Sequence, residues 1–104
     1  MDSGFLKYLK NIKYPSAQQK KELWDIEGTL HNQLLKFDLR PLKNNSKKGS
    51  FKTKADKTVF DMKDQYIIVD VEELHQYLKS NSSKIVHLED LISKLDWNII
   101  LPKK

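Results

Sequence analysis

The chain has 104 residues, no cysteine, and 19 Lys and Arg against 14 Asp and Glu, a formal net charge of +5. The lack of cysteine removes disulfides, thiolate nucleophiles and Cys-ligated zinc, and it fits a reducing interior. No apolar run approaches the about 18 residues of a membrane span, and Lys7 and Lys10 interrupt the N-terminal stretch in a way a signal peptide does not. The expectation is one cytoplasmic domain with no membrane partner.

In chain order, Phe5, Tyr8, Leu9 and Ile12 fall at helical spacing and predict a first helix over roughly residues 4–12. Tyr14-Pro15 ends it, because the residue before proline avoids the α region. Ser16 and Gln19 form a capping-box pattern that starts a second helix. Leu23, Ile26, Leu30, Leu34 and Phe37 give that helix an apolar stripe, widened by Trp24 and Leu35, and Pro41 closes it. Gly28 in its middle costs about 1 kcal/mol relative to Ala, so either another element packs closely there or the helix bends.

Residues 40–57 hold Arg40, Lys43, Lys47, Lys48, Lys52, Lys54 and Lys57 against Asp56 alone, a local charge of +6. Residues 1–39 carry +1 and residues 58–102 carry −4. Asn44-Asn45-Ser46 and Lys48-Gly49-Ser50 are turn-formers. The stretch 41–55 reads as an exposed basic loop with Phe51 as its one large apolar residue.

The C-terminal half predicts a hairpin. Thr58–Met62 alternates, and Tyr66–Val69 is a continuous apolar run, as in a strand covered on both faces. Asp70 and Glu73 make a second capping box, with Val69 and Leu74 as its hydrophobic staple, at the start of a third helix. Ile85-Val86 predicts a short strand, and Leu88, Leu91, Ile92 and Leu95 a fourth helix that His87 is placed to cap. Trp97, Ile99 and Leu101 alternate in a last strand that stops at Pro102. The fold expected is α+β: two N-terminal helices, a basic loop, then a small, mainly antiparallel sheet packed with two further helices.

Chemistry is sparse. Glu27 and His31 stand four apart with no second histidine to complete a metal site. Asp61-Met62-Lys63 matches the end of a metal-dependent nuclease pattern, but Asp56 is poorly spaced as its upstream acid. Helix 88–95 is acidic, which suits a protein-facing surface better than a DNA groove. No glycine-rich phosphate loop or hydrolase motif occurs. The expectation is therefore no catalytic site, no metal and no cofactor.

The basic segment carries the functional expectation. Arg40, Lys43, Lys47, Lys48, Lys52 and Lys54 suit phosphate contacts, largely without sequence preference, and Phe51 suits stacking on an unpaired base. The partner would be DNA or RNA. A second reading is a regulatory or inhibitory module that meets an acidic protein surface, since the chain is dipolar. A third is a metal-independent ribonuclease similar to small basic toxins that cut messenger RNA, with an exposed Tyr66 or Tyr77 beside the basic residues.

Overall fold

Alternation, and not helical periodicity, governs residues 24–30. The computed structural model describes residues 4–41, 46–48, 53–80 and 85–103. It begins with a 3-10 turn at Phe5–Tyr8, strand β1 at Lys10–Lys13 and a second 3-10 turn at Gln19–Glu22. Strands β2 (Ile26–Leu30) and β3 (Gln33–Pro41) follow. The two expected N-terminal helices do not form.

The reason lies in which leucines are buried. Trp24, Ile26, Gly28 and Leu30 are buried at every second position, as a strand requires. Leu23 and Leu34, which the helical stripe needed, are 54% and 63% exposed. Ile26, Leu30 and Phe37 fit either period, so spacing alone favoured the wrong one. His31 and Asn32, at φ 49° and 66°, turn the chain between β2 and β3. Two consecutive residues at positive φ are what a two-residue hairpin loop needs, and Leu30 pairs with Gln33 across it. Pro41 ends β3 and not a helix. The Ser16–Gln19 box is present: the Gln19 amide donates to Ser16 Oγ at 3.2 Å, and the Ser16 amide to Gln19 Oε1 at 3.0 Å. It opens one 3-10 turn only.

Gly28 answers the question its position raised. A Cβ there would meet Leu9 Cβ and Cδ1 at 3.1 Å, so another element does pack closely, against a strand.

After strand β4 (Ser46–Lys48) come β5 (Lys57–Asp61), β6 (Gln65–Asp70), helix α1 (Val71–Ser80), β7 (Ile85–His87), the short helix α2 (Leu88–Ser93) and β8 (Asn98–Pro102). The main sheet runs β1-β2-β3-β5-β6-β8. The β3–β5 pair is parallel and the other pairs are antiparallel. β4 and β7 form a separate antiparallel ribbon. The protein is thus mainly β, a mixed six-stranded sheet with two helices among the described residues, in place of the α+β fold with a small antiparallel sheet expected.

Both faces of the sheet centre are covered. On one face Ile26, Leu30, Phe37, Val59, Tyr66, Ile68 and Leu101 pack under Phe5 and Leu9, with the Phe5 ring 5.3 Å from Phe37 and 5.5 Å from Tyr66. On the other, Phe60, Ile67 and Val69 pack under Leu74 of α1, Val86 of β7 and Leu91 of α2. Tyr66–Val69 is therefore buried along its whole length, as its continuous apolar run implied. Trp24, Ala55 and Val71 form a smaller cluster.

Asp70 caps α1, accepting from the Glu73 amide at 3.1 Å. Glu73 does not reach back. Its Oε2 accepts from the amides of Asp96 and Trp97 at 2.8 and 3.2 Å and fastens the entry to β8. His87 precedes α2 without a side-chain cap bond. Among the described residues no helix is long and apolar enough to cross a membrane.

Candidate nucleic-acid interface

The basic segment is not one free loop. Its middle, Ser46–Lys48, is strand β4, with Lys47 opposite Val86 and Lys48 opposite Ile85 on β7. Its end is pinned elsewhere. The Lys54 amide donates to the Glu22 carbonyl at 2.8 Å, and Thr53 Oγ1 donates to the Leu23 carbonyl at 2.8 Å. The Ala55 amide closes on Thr53 Oγ1 at 3.0 Å, and Ala55 is buried. Lys43, Phe51 and Lys52 lie outside the described residues.

Arg40 has a structural partner. Its Nε donates to Asp38 Oδ2 at 2.6 Å, with both side chains largely buried. Burial raises the Asp38 carboxyl above the ordinary range; Arg40 opposes that, and the neighbouring Asp25 adds to it. Asp25 itself accepts from the Leu39 amide at 2.7 Å. Arg40 thus neutralises a buried acid at the end of β3, which weakens its claim to a phosphate.

Lys54 is different. It is exposed, and its anchor sets it beside the turn that carries Lys20 and Lys21, both exposed. These lysines are far apart in sequence, and two backbone-directed hydrogen bonds, one between Thr53 and Leu23 thirty positions apart, bring their segments together. Exposed Tyr14 and Leu23 flank the same turn in sequence, and all four residues of β1, including Lys10 and Lys13, are exposed.

Charge counting hid this patch. Residues 1–39 are nearly neutral, yet three of their five acids, Glu22, Asp25 and Asp38, are held by groups of the fold. The Trp24 indole donates to Glu22 Oε1 at 2.8 Å, and Lys36 stands 3.6 Å from the same oxygen. The indole bond, helped by Lys36 and Lys54 against some desolvation, holds Glu22 below the ordinary carboxylate range. Asp25 and Asp38 are occupied as described. Lys10, Lys13, Lys20 and Lys21 are exposed and meet no acid among the described ion pairs, so these three acids are occupied while the lysines face solvent. The signal available in the sequence was the pair Lys20-Lys21 in a short turn after Tyr14-Pro15.

The other candidate chemistries disperse. His31 sits in the hairpin loop and Glu27 in β2, so the pair does not share a helix face. Asp61 pairs with Lys103 Nζ at 2.5 Å while Lys63 is exposed. Tyr66 is buried and Tyr77 donates to Asp90 at 2.6 Å, so neither is the exposed tyrosine of the ribonuclease reading. Among the described residues no three of His, Asp and Glu gather as a metal site. A polar cleft of about 440 Å³ lies between residues 53–56 and α1, lined by Asp56, Asp70, Glu72, His75 and Lys79 among others. Its acids outnumber its bases, which makes it a poor seat for a phosphate. No family model, curated protein or solved structure gives a significant match to this chain.

Proposed function

We propose that this protein is a small basic binding module that takes nucleic acid with little sequence preference. The lysines of two segments, Lys20 and Lys21 on the 3-10 turn and Lys54 beside them, contact phosphates, and the basic stretch from Lys43 to Lys52 extends the contact. The observation that carries this reading is the Lys54–Glu22 backbone bond with its Thr53–Leu23 companion, which sets the end of the basic segment beside a second lysine pair. Lysine is a point charge that neutralises phosphate and releases counterions without reading bases. Exposed Tyr14 offers a ring for an unpaired base.

The variant Lys20→Gln/Lys21→Gln/Lys54→Gln tests the reading. It should weaken binding to all sequences alike and lower the salt slope on duplex DNA by about 0.9 per lost contact. Unchanged affinity and slope would refute this site. Capture of an acidic protein that displaces bound nucleic acid from the wild type would move the patch to a protein partner instead.

A further inference from the structure

The two edges of the six-stranded sheet are unlike. β1 carries Lys10 and Lys13, has Asn11 at φ 55°, and shifts register against β2. A lysine-bearing, irregular strand is a poor template for another strand. β8 keeps a regular register with β6 from Asn98 to Pro102.

That register fixes which backbone groups of β8 face outward. The Lys103 amide donates to the Asp64 carbonyl at 2.9 Å, in step with the β6–β8 ladder. In an antiparallel pair, bonded and non-bonded positions alternate. Leu101 and Ile99 therefore turn their N–H and C=O groups toward β6, while Asn98 and Ile100 turn theirs away. Pro102 is the next outward position. It has no N–H, and its carbonyl accepts from the Tyr8 hydroxyl at 2.7 Å. The outward set is thus one donor and one acceptor on each of Asn98 and Ile100.

The side chains beside this edge are also unusual for a surface. Ile100 is 42% exposed and Ile92 of α2 is 41% exposed. Asn98, on the same sheet face as Ile100, donates through Nδ2 to the Ile92 carbonyl at 3.3 Å, which brings α2 to this end of β8.

We propose that β8 pairs antiparallel with β8 of a second copy of this chain, across a two-fold axis at Ile99. Asn98 then faces Ile100 of the second copy, and Ile100 faces Asn98 of the second copy. Four hydrogen bonds form, and they use every outward N–H and C=O of the two residues. Centring the axis on Ile100 would set Asn98 against Pro102, which has no amide to give. In the proposed register the second copy's Ile100 lies over Asn98, on the side that carries Ile92, so Ile92 and Ile100 of each copy are covered. The contact is self-complementary, as a two-fold interface must be, and it joins two six-stranded sheets edge to edge.

The test is sedimentation velocity of the full chain over a wide concentration range, with circular dichroism to check folding. The wild type should show a concentration-dependent dimer. Ile100→Lys and Ile92→Lys, each at an exposed position, should be folded monomers, while Ile12→Lys on the opposite edge strand should remain dimeric. A wild type that stays monomeric throughout would overturn the proposal. So would dimers that survive both β8-side variants, or a dimer that Ile12→Lys abolishes.

Discussion

The ammonium of Lys57 stands 3.7 Å over the Trp97 ring and 2.9 Å from the Asp70 carboxylate. One cation thereby ties β5 to the cap of α1 and to the start of β8. Burial pushes the Asp70 carboxyl up, and the Lys57 ammonium with the backbone N–H of Glu73 more than offsets it, leaving Asp70 below the ordinary range.

The sign of the pH dependence follows. A carboxyl whose folded pKa is depressed contributes stability that is complete above its unfolded pKa, about 3.9 for Asp. That contribution is lost as pH falls through the lower folded value. Asp90, lowered by the Tyr77 hydroxyl and Lys94 against some desolvation, acts in the same direction, and buried Asp38, raised, acts in the opposite one. Asp70→Asn should flatten the loss of stability below about pH 4, read by denaturant melts at several pH values. Asp70→Ala should also remove the cap and cost about 0.5–2 kcal/mol at neutral pH.

A Cβ on Gly28 would press on Leu9, which would have to give by a few tenths of an ångström. Both contact atoms belong to a buried leucine, and its Cβ moves only with the backbone. Gly28→Ala should destabilise by about 1–3 kcal/mol through overpacking, and Leu9→Ala by about 2–5 kcal/mol through the lost core contact. The double variant should cost less than the sum, because loss of Leu9 Cγ and Cδ1 relieves part of the crowding while the Cβ contact stays. Strict additivity in denaturant melts would contradict the close approach.

Thr58 presents the reverse case. Its Oγ1 is buried under the helices and has no hydrogen-bond partner among the described residues. A buried hydroxyl left unsatisfied costs about 1–3 kcal/mol, so Thr58→Val, of similar shape, should stabilise the protein. A chain of this size gains about 4–8 °C in Tm per kcal/mol, which a thermal melt resolves. A lower Tm would mean that the hydroxyl is in fact satisfied.

How much was legible follows from these residues. The C-terminal half was readable, because Tyr66–Val69 is apolar without interruption, Asp70 is a cap, and Trp97, Ile99 and Leu101 alternate toward one face. The N-terminal half was not. Ile26, Leu30 and Phe37 satisfy the helical and the extended period alike, and the hairpin loop that decides between them is His31-Asn32, which lacks the glycine that usually marks such a turn. The basic segment was visible as charge, but its partner was not. The Lys54–Glu22 bond depends on the strand order, and the expected helix sets Lys20 and Lys21 among acids of which the fold occupies Glu22, Asp25 and Asp38.

The most direct test of the proposed function is fluorescence anisotropy of the wild-type chain with labelled single-stranded DNA, duplex DNA and RNA at about 50 and about 200 mM salt. Binding at low salt that falls by orders of magnitude at the higher concentration, with little dependence on sequence, is the predicted result. No binding to any of the three at the lower salt would contradict it.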